Sequence, residues 1–487
     1  MPKLIISRLF LYRYRFIIGY ILLGLAFVAL VFLLPLLAPS GLSEAERSSA
    51  VASYSLHFSS ITSGDLVDLP YHILQKLSIL FFGFSAYSIK LPSILLGLIL
   101  GFLLILLLNR WFKSNVALLA SVLTVLSTPF LYLAGSGTPL IMLVFWPTLL
   151  LWLGSRIQGE KSPRPLFTAL FALALLMSIY TPHLIYLVAF IIVFAIINPH
   201  LRFTIKSLPK IPLAIVCLIL VAGIGIWVTN IISSSSVALS LFFARDFSVS
   251  SFLQNIADGF APFFSWIKPL EGVYLSPMIG LANVVLAVAG LLSTRKGFFA
   301  SRNAIASCFI VFSVVLAGLV PDSALLILLP MSILTAHGLR YLLEKWYGLF
   351  PENPYARIFA IFPLSLLLAL MIIPSLTHYI YGYRYTPAVA NSFSTDLSLV
   401  KENLDKAYLY LDEDTLDDKF YTVYEDRTHK IKVVHDLDFV KTSDKLDIAT
   451  IEKKELTLPE GYSLKEIITS SKSDNSDRIY IYSFKTN

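Results

Sequence analysis

Residues 16–37 read FIIGYILLGLAFVALVFLLPLL, an apolar run of 22 residues without a charged side chain. A helix of this length and composition can cross the hydrocarbon core of a bilayer, which is about 30 Å thick. Four basic residues, Lys3, Arg8, Arg13 and Arg15, precede the run, as they would in a signal peptide. The apolar region of a cleavable signal peptide is only about 7–15 residues long. The run therefore predicts a first helix that stays in the membrane.

Similar apolar runs continue to about residue 377, and they determine the fold class. Each run is long enough to cross a bilayer as a helix. Ten further spans are predicted near residues 92–109, 115–133, 139–155, 165–181, 183–198, 211–232, 274–293, 303–320, 323–339 and 357–377. Together with the first run, they predict a polytopic α-helical membrane protein with about eleven transmembrane helices.

The overall composition supports this class. The chain has 487 residues, of which 56% are hydrophobic and 14% are charged, and its mean hydropathy is +0.75. Soluble domains average about 25% charged residues, so a water-soluble enzyme is excluded. The two cysteines, Cys217 and Cys308, both lie in apolar runs. This placement excludes a disulfide framework and a cysteine-based metal site.

Lysine and arginine residues predict the orientation in the membrane. They are concentrated at the N-terminus and in alternate loops, near residues 110–113, 156–164, 202–210, 295–302 and 340–357. Cytoplasmic loops carry an excess of these residues. We therefore expect a multi-pass plasma-membrane protein with a cytoplasmic N-terminus and an extracytoplasmic C-terminal segment. The net charge of +7 comes mainly from these anchoring residues, and no basic stretch has the interleaved aromatic residues typical of nucleic-acid binding.

Two predicted outer loops are long, at about residues 38–91 and 233–273. Long loops in a compact protein are more often functional than connective. We therefore expect the chemistry of this protein in these loops.

The composition changes after residue 385, where charged and alternating sequence replaces the apolar runs. The pattern predicts a helix at 394–407 and strands at 407–411, 430–434, 447–451 and 478–484. The sequence thus predicts a transmembrane domain at 1–384 and a small extracytoplasmic α/β domain at 385–487.

Two neighbouring segments resemble a known family. Residues 80–85, LFFGFS, are followed by residues 89–97, IKLPSILLG. They are similar to segments that lead into the second span of the GT-C glycosyltransferases, particularly the bacterial family 39-type enzymes. Residues 126–129, LSTP, resemble the end of the family's third span. The resemblance implies a polytopic enzyme that transfers a sugar from a polyprenyl-phosphate donor, with inversion, on the extracytoplasmic face.

The chain departs from this family at the positions associated with chemistry. Family members have an Asp-Glu pair after the first span, whereas Ser43 stands here at the position of the aspartate. A frequent His-Pro-Pro-Leu is replaced by Asp68-Leu69-Pro70-Tyr71-His72, and a frequent Ser-x-Glu-Ala-Arg by Gly135-Ser136-Gly137-Thr138. These departures concern catalysis rather than the fold.

The resemblance also suggests roles for individual residues. Sugar transfer needs a carboxylate base at the acceptor hydroxyl and positive groups at the departing phosphate. Glu44 is the preferred base and Glu46 its neighbour or substitute, and the alternative for either is an ordinary solvated loop acid. Lys90 and Arg245 are the candidates for phosphate contact. The alternatives are a snorkelling anchor for Lys90, and a pair with Asp246 or with lipid headgroups for Arg245.

Further candidates for the substrate pocket are Asp68, His72, His183 and Asp246. Asp68 and His72 are four residues apart and share a helix face, an arrangement that also suits metal binding. Two ligands do not make a metal site, so the metal and the cofactor are left unassigned. His183 lies in a tight turn, where a lone histidine is more often structural.

The leading hypothesis is a membrane glycosyltransferase, with a loop carboxylate as its base. Its partners are a polyprenyl-phosphate-linked sugar, membrane lipids and a glycan, lipid or protein acceptor. The alternative is a catalytically silent GT-C-like protein that binds lipid-linked glycan or a partner in envelope assembly. A transporter comes third, because few charges lie within the spans, where ion pumps and proton relays carry them.

Overall fold

The computed structural model describes most of the chain. The described residues are 10–37, 41–56, 67–157, 164–233, 241–242, 248–263, 279–294, 301–349, 355, 359, 361–386, 392–436, 446–451, 458, 461–470 and 477–484. The helices before residue 386 are α1 (Phe10–Leu37), α2 (Glu44–Ser55), α3 (Leu69–Phe82), α4 (Ala86–Trp111), α5 (Ser114–Val125), α6 (Thr128–Gly135), α7 (Met142–Ile157), α8 (Arg164–Ser178), α9 (Leu184–Ile197), α10 (Pro199–Lys206), α11 (Lys210–Ser233), α12 (Val249–Phe260), α13 (Leu281–Thr294), α14 (Ser301–Leu319), α15 (Leu328–Leu349) and α16 (Ile361–Tyr385). Short 3₁₀ helices lie at Pro139–Ile141, Ala261–Phe263 and Pro321–Ile327.

Four helical segments of the described chain are long and apolar enough to cross a membrane. They are α4, Pro139–Ile157, Ser323–Leu349 and Phe362–Tyr385. Helices α5 and α6 add a fifth if they form one span, and the chain bends by 65° between them. Shorter apolar helices, among them α8, α9 and α13, coincide with other predicted spans. The mainly helical membrane fold is as predicted, whereas the count of eleven spans stays a prediction.

Helix α4 passes through the main hydrophobic core and presents one face outward. Its buried core residues are Ile94, Leu96, Leu100, Leu103, Leu104 and Leu107. They pack in one cluster with side chains of α7, α9, α14 and α15. Leu95, Ile99, Phe102 and Leu106 are 43–49% exposed. Their spacing of three and four residues places them on one helix face, where a bilayer would contact them.

Helices α13 and α15 cross at two glycines. A Cβ atom built on Gly290 would lie 2.1 Å from the carbonyl oxygen of Leu334. One built on Gly338 would lie 2.1 Å from the carbonyl oxygen of Leu286. Small residues allow helix backbones to approach closely in membranes. Neither glycine can therefore accept a larger side chain without moving a backbone.

Residues 392–484 contain a five-stranded sheet. The elements of this part of the chain are β2 (Phe393–Ser394), α17 (Asp396–Asn403), β3 (Ala407–Tyr410), α18 (Leu416–Thr428), β4 (Ile431–Val434), β5 (Ile448–Thr450), β6 (Tyr462–Thr469) and β7 (Arg478–Phe484), and the sheet consists of β3 to β7. The strand order is β4-β3-β5-β7-β6, with β3 parallel to β4 and β5, and β7 antiparallel to β5 and β6. Four of the strands coincide with predicted strands.

One end of the helix bundle, which we call the capped end, is covered by α2 and the described residues between 392 and 484. Helix α2 contacts α3 on one side and α18 on the other. Strand β1 (Leu42–Ser43) pairs antiparallel with β2, so that Leu42 is opposite Ser394. Gly41 precedes β1 with φ of +114°, and a Cβ atom there would lie 2.4 Å from the carbonyl oxygen of Ser394. Glycine therefore permits this close pairing.

The capped end also has a hydrophobic core of its own. Ala50 of α2, Ile79 of α3 and Phe84 pack in one buried cluster with residues of the sheet and α18. The Phe84 and Phe420 ring centroids are 5.0 Å apart. Residues 392–484 thus share their core with residues 41–89. The domain boundary at 385 stays a prediction.

Candidate functional site

The N-terminus of α2 lies where the family's aspartate is expected. Ser43 is the N-cap residue, and its hydroxyl accepts a hydrogen bond from the Glu46 backbone N–H at 3.3 Å. The Ser43 backbone N–H donates in return to Oε2 of Glu46 at 2.8 Å. This reciprocal pair is a capping box, which satisfies two backbone donors at a helix start. The serine therefore has a structural task at the position of the missing acid.

Glu46 is buried and pairs with Lys90. Its Oε1 accepts a hydrogen bond from the Gly137 backbone N–H at 2.6 Å and lies 3.8 Å from Nζ of Lys90. The side chains of Lys90 and Glu46 are only 3% and 1% exposed. A charge that is removed from water needs a partner and hydrogen bonds to offset the cost of desolvation. Lys90 supplies the opposite charge, and the backbone N–H groups of Ser43 and Gly137 supply the hydrogen bonds to Glu46. Two residues that the sequence suggested separately thus form one unit.

Lys90 lines a cavity of about 200 Å³ at the capped end. The Lys90 ammonium lies 5.9 Å from the centre of the Phe393 ring. The residues that line the cavity are Pro35, Gly41, Leu42, Ala86, Tyr87, Lys90, Ser394, Thr395, Leu397 and Ser398. Lys90 is the one charged residue among them. A lysine in the lining of a small, otherwise uncharged cavity is suited to binding an anion such as a phosphate.

A buried glutamine holds the surroundings of this pair in place. Oε1 of Gln75 accepts hydrogen bonds from the hydroxyls of Ser49 at 2.9 Å and Ser53 at 2.6 Å. Its Nε2 donates to the carbonyl oxygens of Ile89 at 3.0 Å and Gly137 at 2.9 Å. The side chain thereby joins α2, α3, α4 and the turn that donates to Glu46. A polar network with every group satisfied is rigid.

Gln75 was not among the residues selected from the sequence. It is a lone amide within the apolar part of α3, with Leu74 before it and a mainly apolar run after it. A buried polar side chain in such a run must find hydrogen-bond partners. A single amide in a mainly apolar helix was therefore the feature of the sequence by which Gln75 could have been selected.

His72 takes part in the same network. Its Nδ1 lies 2.7 Å from the hydroxyl of Ser53, and the ring is partly buried. The contact places His72 beside α2, where the hydroxyl of Ser53 connects it to Gln75. Its role in a substrate pocket stays a prediction.

Asp68 lies at the start of α3, in a second group of predicted residues. It has a left-handed backbone with φ of 53°, and its backbone N–H donates to the carbonyl oxygen of Tyr180 at 2.8 Å. Its Oδ1 is buried and has no hydrogen-bond partner within the described part of the chain. Burial raises the pKa of the Asp68 carboxyl to about 7. The hydrogen bond joins Asp68 to the turn that contains His183, rather than to the Glu46–Lys90 pair.

His183 begins α9 with φ of 64°, and its backbone N–H donates to the carbonyl oxygen of Leu241 at 3.1 Å. The turn therefore connects α3 and the segment at 241–242. Among the described residues, no group of three or more His, Cys, Asp or Glu side chains is arranged to hold a metal ion. Arg245 and Asp246 lie outside the described residues.

Glu44 differs from Glu46 in its surroundings. It occupies the first turn of α2, and its side chain is exposed. A carboxylate in this position interacts favourably with the helix dipole. Of the two predicted bases, Glu44 is thus the one that solvent or a substrate can reach directly.

Arg47, which the sequence analysis did not select, connects α2 with the C-terminal part of the chain. Its Nη2 donates to Asp396 Oδ2 at 2.9 Å, and its Nη1 donates to Asp417. The guanidinium also lies 5.4 Å from the centre of the Phe420 ring. The partners are separated from Arg47 by 349 and 370 residues, so no local pattern could reveal them.

Two larger cavities, both open to the outside of the helix bundle, are lined mostly by apolar side chains. One of about 750 Å³ is lined by α1, α4 and α5, including Phe27, Gly101 and Phe102. Another of about 410 Å³ is lined mainly by α7, α8, α9 and α11. The first shares helices α1 and α4 with the Lys90 cavity.

The fold and several segments are similar to known proteins. Residues 70–227 match the family model of dolichyl-phosphate-mannose-protein mannosyltransferases. The structure of ArnT from Cupriavidus metallidurans bound to undecaprenyl phosphate aligns with a TM-score of 0.53 and 13% identity, over 95% of this chain and 98% of that chain. ArnT from the same organism in the apo state aligns with a TM-score of 0.50 and 15% identity, over the same shares of the two chains. No curated protein matches this chain.

These comparisons confirm the resemblance to the GT-C superfamily at the level of the fold. The matched range includes residues 80–97, which carried the resemblance in the sequence. The chain therefore has the fold of GT-C membrane glycosyltransferases, and the roles of its individual residues are matters for proposal.

Proposed function

We propose that this protein is a membrane glycosyltransferase that uses a polyprenyl-phosphate-linked sugar. The observation that carries the proposal is the buried Lys90 at the cavity of about 200 Å³. An ammonium group there offers a positive charge to the donor phosphate. The apolar cavity of about 750 Å³ between α1, α4 and α5 suits the prenyl chain of the same lipid. That ArnT was solved with undecaprenyl phosphate supports this class of ligand.

In the proposed reaction, the oxygen of an acceptor hydroxyl attacks the anomeric carbon of the sugar. The bond between this carbon and the phosphate oxygen breaks, and the polyprenyl phosphate leaves with the bonding electrons. A carboxylate takes the hydroxyl proton, and Lys90 stabilises the negative charge that develops on the phosphate. Attack from the face opposite the phosphate inverts the anomeric configuration. The acceptor is a glycan, a lipid or a protein.

We assign different roles to the two glutamates. Both oxygens of Glu46 already interact with neighbouring groups: Oε2 with the backbone N–H of Ser43, and Oε1 with that of Gly137 and with Lys90. Glu46 therefore positions Lys90. The exposed Glu44 is the base in this proposal, and the capped end faces the extracytoplasmic side, with the N-terminus in the cytoplasm.

Native mass spectrometry of the gently extracted protein tests the proposal. We expect wild-type protein to retain a polyprenyl-phosphate sugar, or to bind added undecaprenyl phosphate, and we expect Lys90→Met to lose at least tenfold in binding. Lys113→Met is the matched control, since it removes the same charge beyond the other end of α4, at an exposed site. A wild-type protein that carries only ordinary phospholipid after incubation with undecaprenyl phosphate would refute the proposal.

A second candidate is a catalytically silent protein that binds a lipid-linked glycan. Two observations favour it: Ser43 serves as a helix cap in place of the family's aspartate, and Glu46 is committed to Lys90. Turnover separates the candidates. If Glu44→Gln and Glu46→Gln both bind undecaprenyl phosphate and leave the cell-envelope glycans of the host unchanged, the silent protein is the better description.

A further inference from the structure

The Lys90 cavity is built from two distant parts of the chain. One wall consists of Pro35, residues 41–42 and the first turns of α4. The other part of the lining consists of Ser394, Thr395, Leu397 and Ser398, and the Phe393 ring lies 5.9 Å from the Lys90 ammonium. Residues 393–398, which we call the C-terminal wall, thus contribute directly to the site.

Strand pairing fixes the position of the C-terminal wall. Phe393 and Ser394 pair with Ser43 and Leu42, immediately before the helix that carries Glu44 and Glu46. The close approach at Gly41 leaves no space for a side chain between the two strands. The wall therefore cannot shift without disturbing β1.

Hydrogen bonds of Thr395 and Asp396 also fix the position of the C-terminal wall. The backbone N–H and the hydroxyl of Thr395 both donate to Oδ2 of Asp477, which adjoins β7. Asp396 accepts a hydrogen bond from Arg47 at 2.9 Å. The wall is therefore ordered before any ligand enters, and ordering in advance reduces the cost of binding.

We propose that the C-terminal wall is part of the donor site and borders both the donor phosphate and the sugar attached to it. The argument rests on the proposed function, in which Lys90 binds that phosphate. The wall contributes Ser394, Thr395, Leu397 and Ser398 to the same lining as Lys90. Hydroxyls next to an apolar surface suit a sugar ring, which has polar edges and apolar faces. Residues 393–398 therefore border the space for the phosphate and the sugar, whereas Lys90 supplies the positive charge for the phosphate.

A substitution that fills the cavity tests this wall. Ser398→Trp places a bulky side chain at an exposed position of the lining, and Lys401→Trp adds the same bulk to an exposed position of α17 outside the lining. The probe is undecaprenyl phosphate, with binding measured by native mass spectrometry of the full-length protein. We expect Ser398→Trp to weaken binding at least tenfold and Lys401→Trp to change it less than twofold.

Protection from chemical labelling gives a second measurement that needs no bulky residue. In a Cys217→Ala and Cys308→Ala background, we expect undecaprenyl phosphate to slow the labelling of Ser398→Cys by a methanethiosulfonate at least fivefold. We expect the labelling of Lys401→Cys to stay unchanged.

The outcomes distinguish the inference from the function on which it rests. If Lys90→Met loses the lipid while Ser398→Trp binds it as wild type does, or labelling of Ser398→Cys is not slowed, the C-terminal wall is not part of the site. If neither Lys90→Met nor Ser398→Trp weakens binding, the proposed function fails as well.

Discussion

Glu46 and Lys90 place two opposite charges inside the protein, next to a cavity. The separation of 3.8 Å between Oε1 and Nζ makes each side chain the counter-charge of the other. Removing one partner of a buried ion pair typically costs about 3–5 kcal/mol, because the remaining charge is left without compensation. In the proposed function, an entering phosphate would therefore meet a lysine whose position Glu46 already restricts.

Asp68 provides a pH-dependent prediction at the same scale. Its pKa is about 7 in the folded protein and about 3.8 in the unfolded chain. Because the folded state holds the proton more tightly, this group's contribution to stability is fully present below pH 3.8 and is lost as the pH rises through 7. The total loss is on the order of 4 kcal/mol, at about 1.4 kcal/mol per unit.

The measurement is thermal unfolding of wild type and Asp68→Asn in detergent, between pH 4.5 and pH 8. The amide has nearly the same shape and does not titrate. We therefore expect the melting temperature of wild type to fall relative to that of the variant up to about pH 7, and the difference to become constant above it. Parallel curves for the two proteins would show that Asp68 does not titrate in this range.

The candidate site could be predicted only in part at this scale. The sequence resemblance selected Glu46 and Lys90, and the structure brings them together. The resemblance could not identify Gln75 or the pairing of Glu46 with Lys90, because these contacts depend on how α2, α3 and the turn at Gly137 pack in three dimensions. The backbone N–H of His72 donates to the carbonyl oxygen of Asp68 at 3.0 Å, and the role of the two residues in a common substrate pocket stays a prediction.

At the scale of elements, α13 and α15 form a crossing that depends on Gly290 and Gly338. The two glycines face the backbone of the opposite helix, so the helices pack with main chain against main chain. Such packing allows dispersion forces to act over short distances, and these forces help to hold membrane helices together. The crossing therefore restricts what either position can accept.

Gly338→Leu tests this crossing. A side chain there would meet the carbonyl oxygen of Leu286 at 2.1 Å, so we expect the free energy of unfolding to fall by about 1–3 kcal/mol. The matched control is Gly348→Leu in the same helix, where no atom lies within 4 Å of a Cβ atom. Thermal unfolding in detergent should show a lower melting temperature for Gly338→Leu alone. Equal melting temperatures would contradict the tight crossing.

The elements themselves could be predicted unevenly. Apolar runs located the helices of the bundle, because a membrane span must be apolar along about 20 residues. The C-terminal part was harder: the helix predicted at 394–407 is shorter, at Asp396–Asn403, and Leu416–Thr428 was not predicted. Helix α18 buries Phe420, Tyr421 and Tyr424 against distant elements, and its polar remainder resembles a loop in isolation.

At the scale of the whole molecule, Arg47 connects α2 with two helices that lie much later in the sequence. It is buried and interacts with Asp396 and Asp417, on the two helices α17 and α18. Together with the β1–β2 pair, this contact joins β2, α17 and α18 to α2 and β1 beside the Lys90 cavity. The capped end is therefore one structure assembled from two remote segments.

Arg47→Met tests this connection. The variant leaves two carboxylates without their cation, and we expect a loss of about 3 kcal/mol, the lower end of the usual range, because Asp417 is 36% exposed. Hydrogen exchange should become faster in residues 44–55 and 416–428. Arg340→Met is the control, since it breaks an exposed pair with Glu344, which is worth only about 0.5 kcal/mol. Unchanged exchange in both segments would show that Arg47 does not hold the capped end.

The pairing of residues 42–43 with residues 393–394 also has a consequence for biosynthesis. The two strands meet only after the ribosome has made and the membrane has received nearly all the helices between them. Closing a loop of 349 residues, the separation of Arg47 and Asp396, costs on the order of 5 kcal/mol of chain entropy. The Lys90 cavity can therefore form only after residues 393–398 have been made. A chain released before residue 393 would contain the helices of the bundle and lack part of the Lys90 cavity, so we expect it not to bind undecaprenyl phosphate.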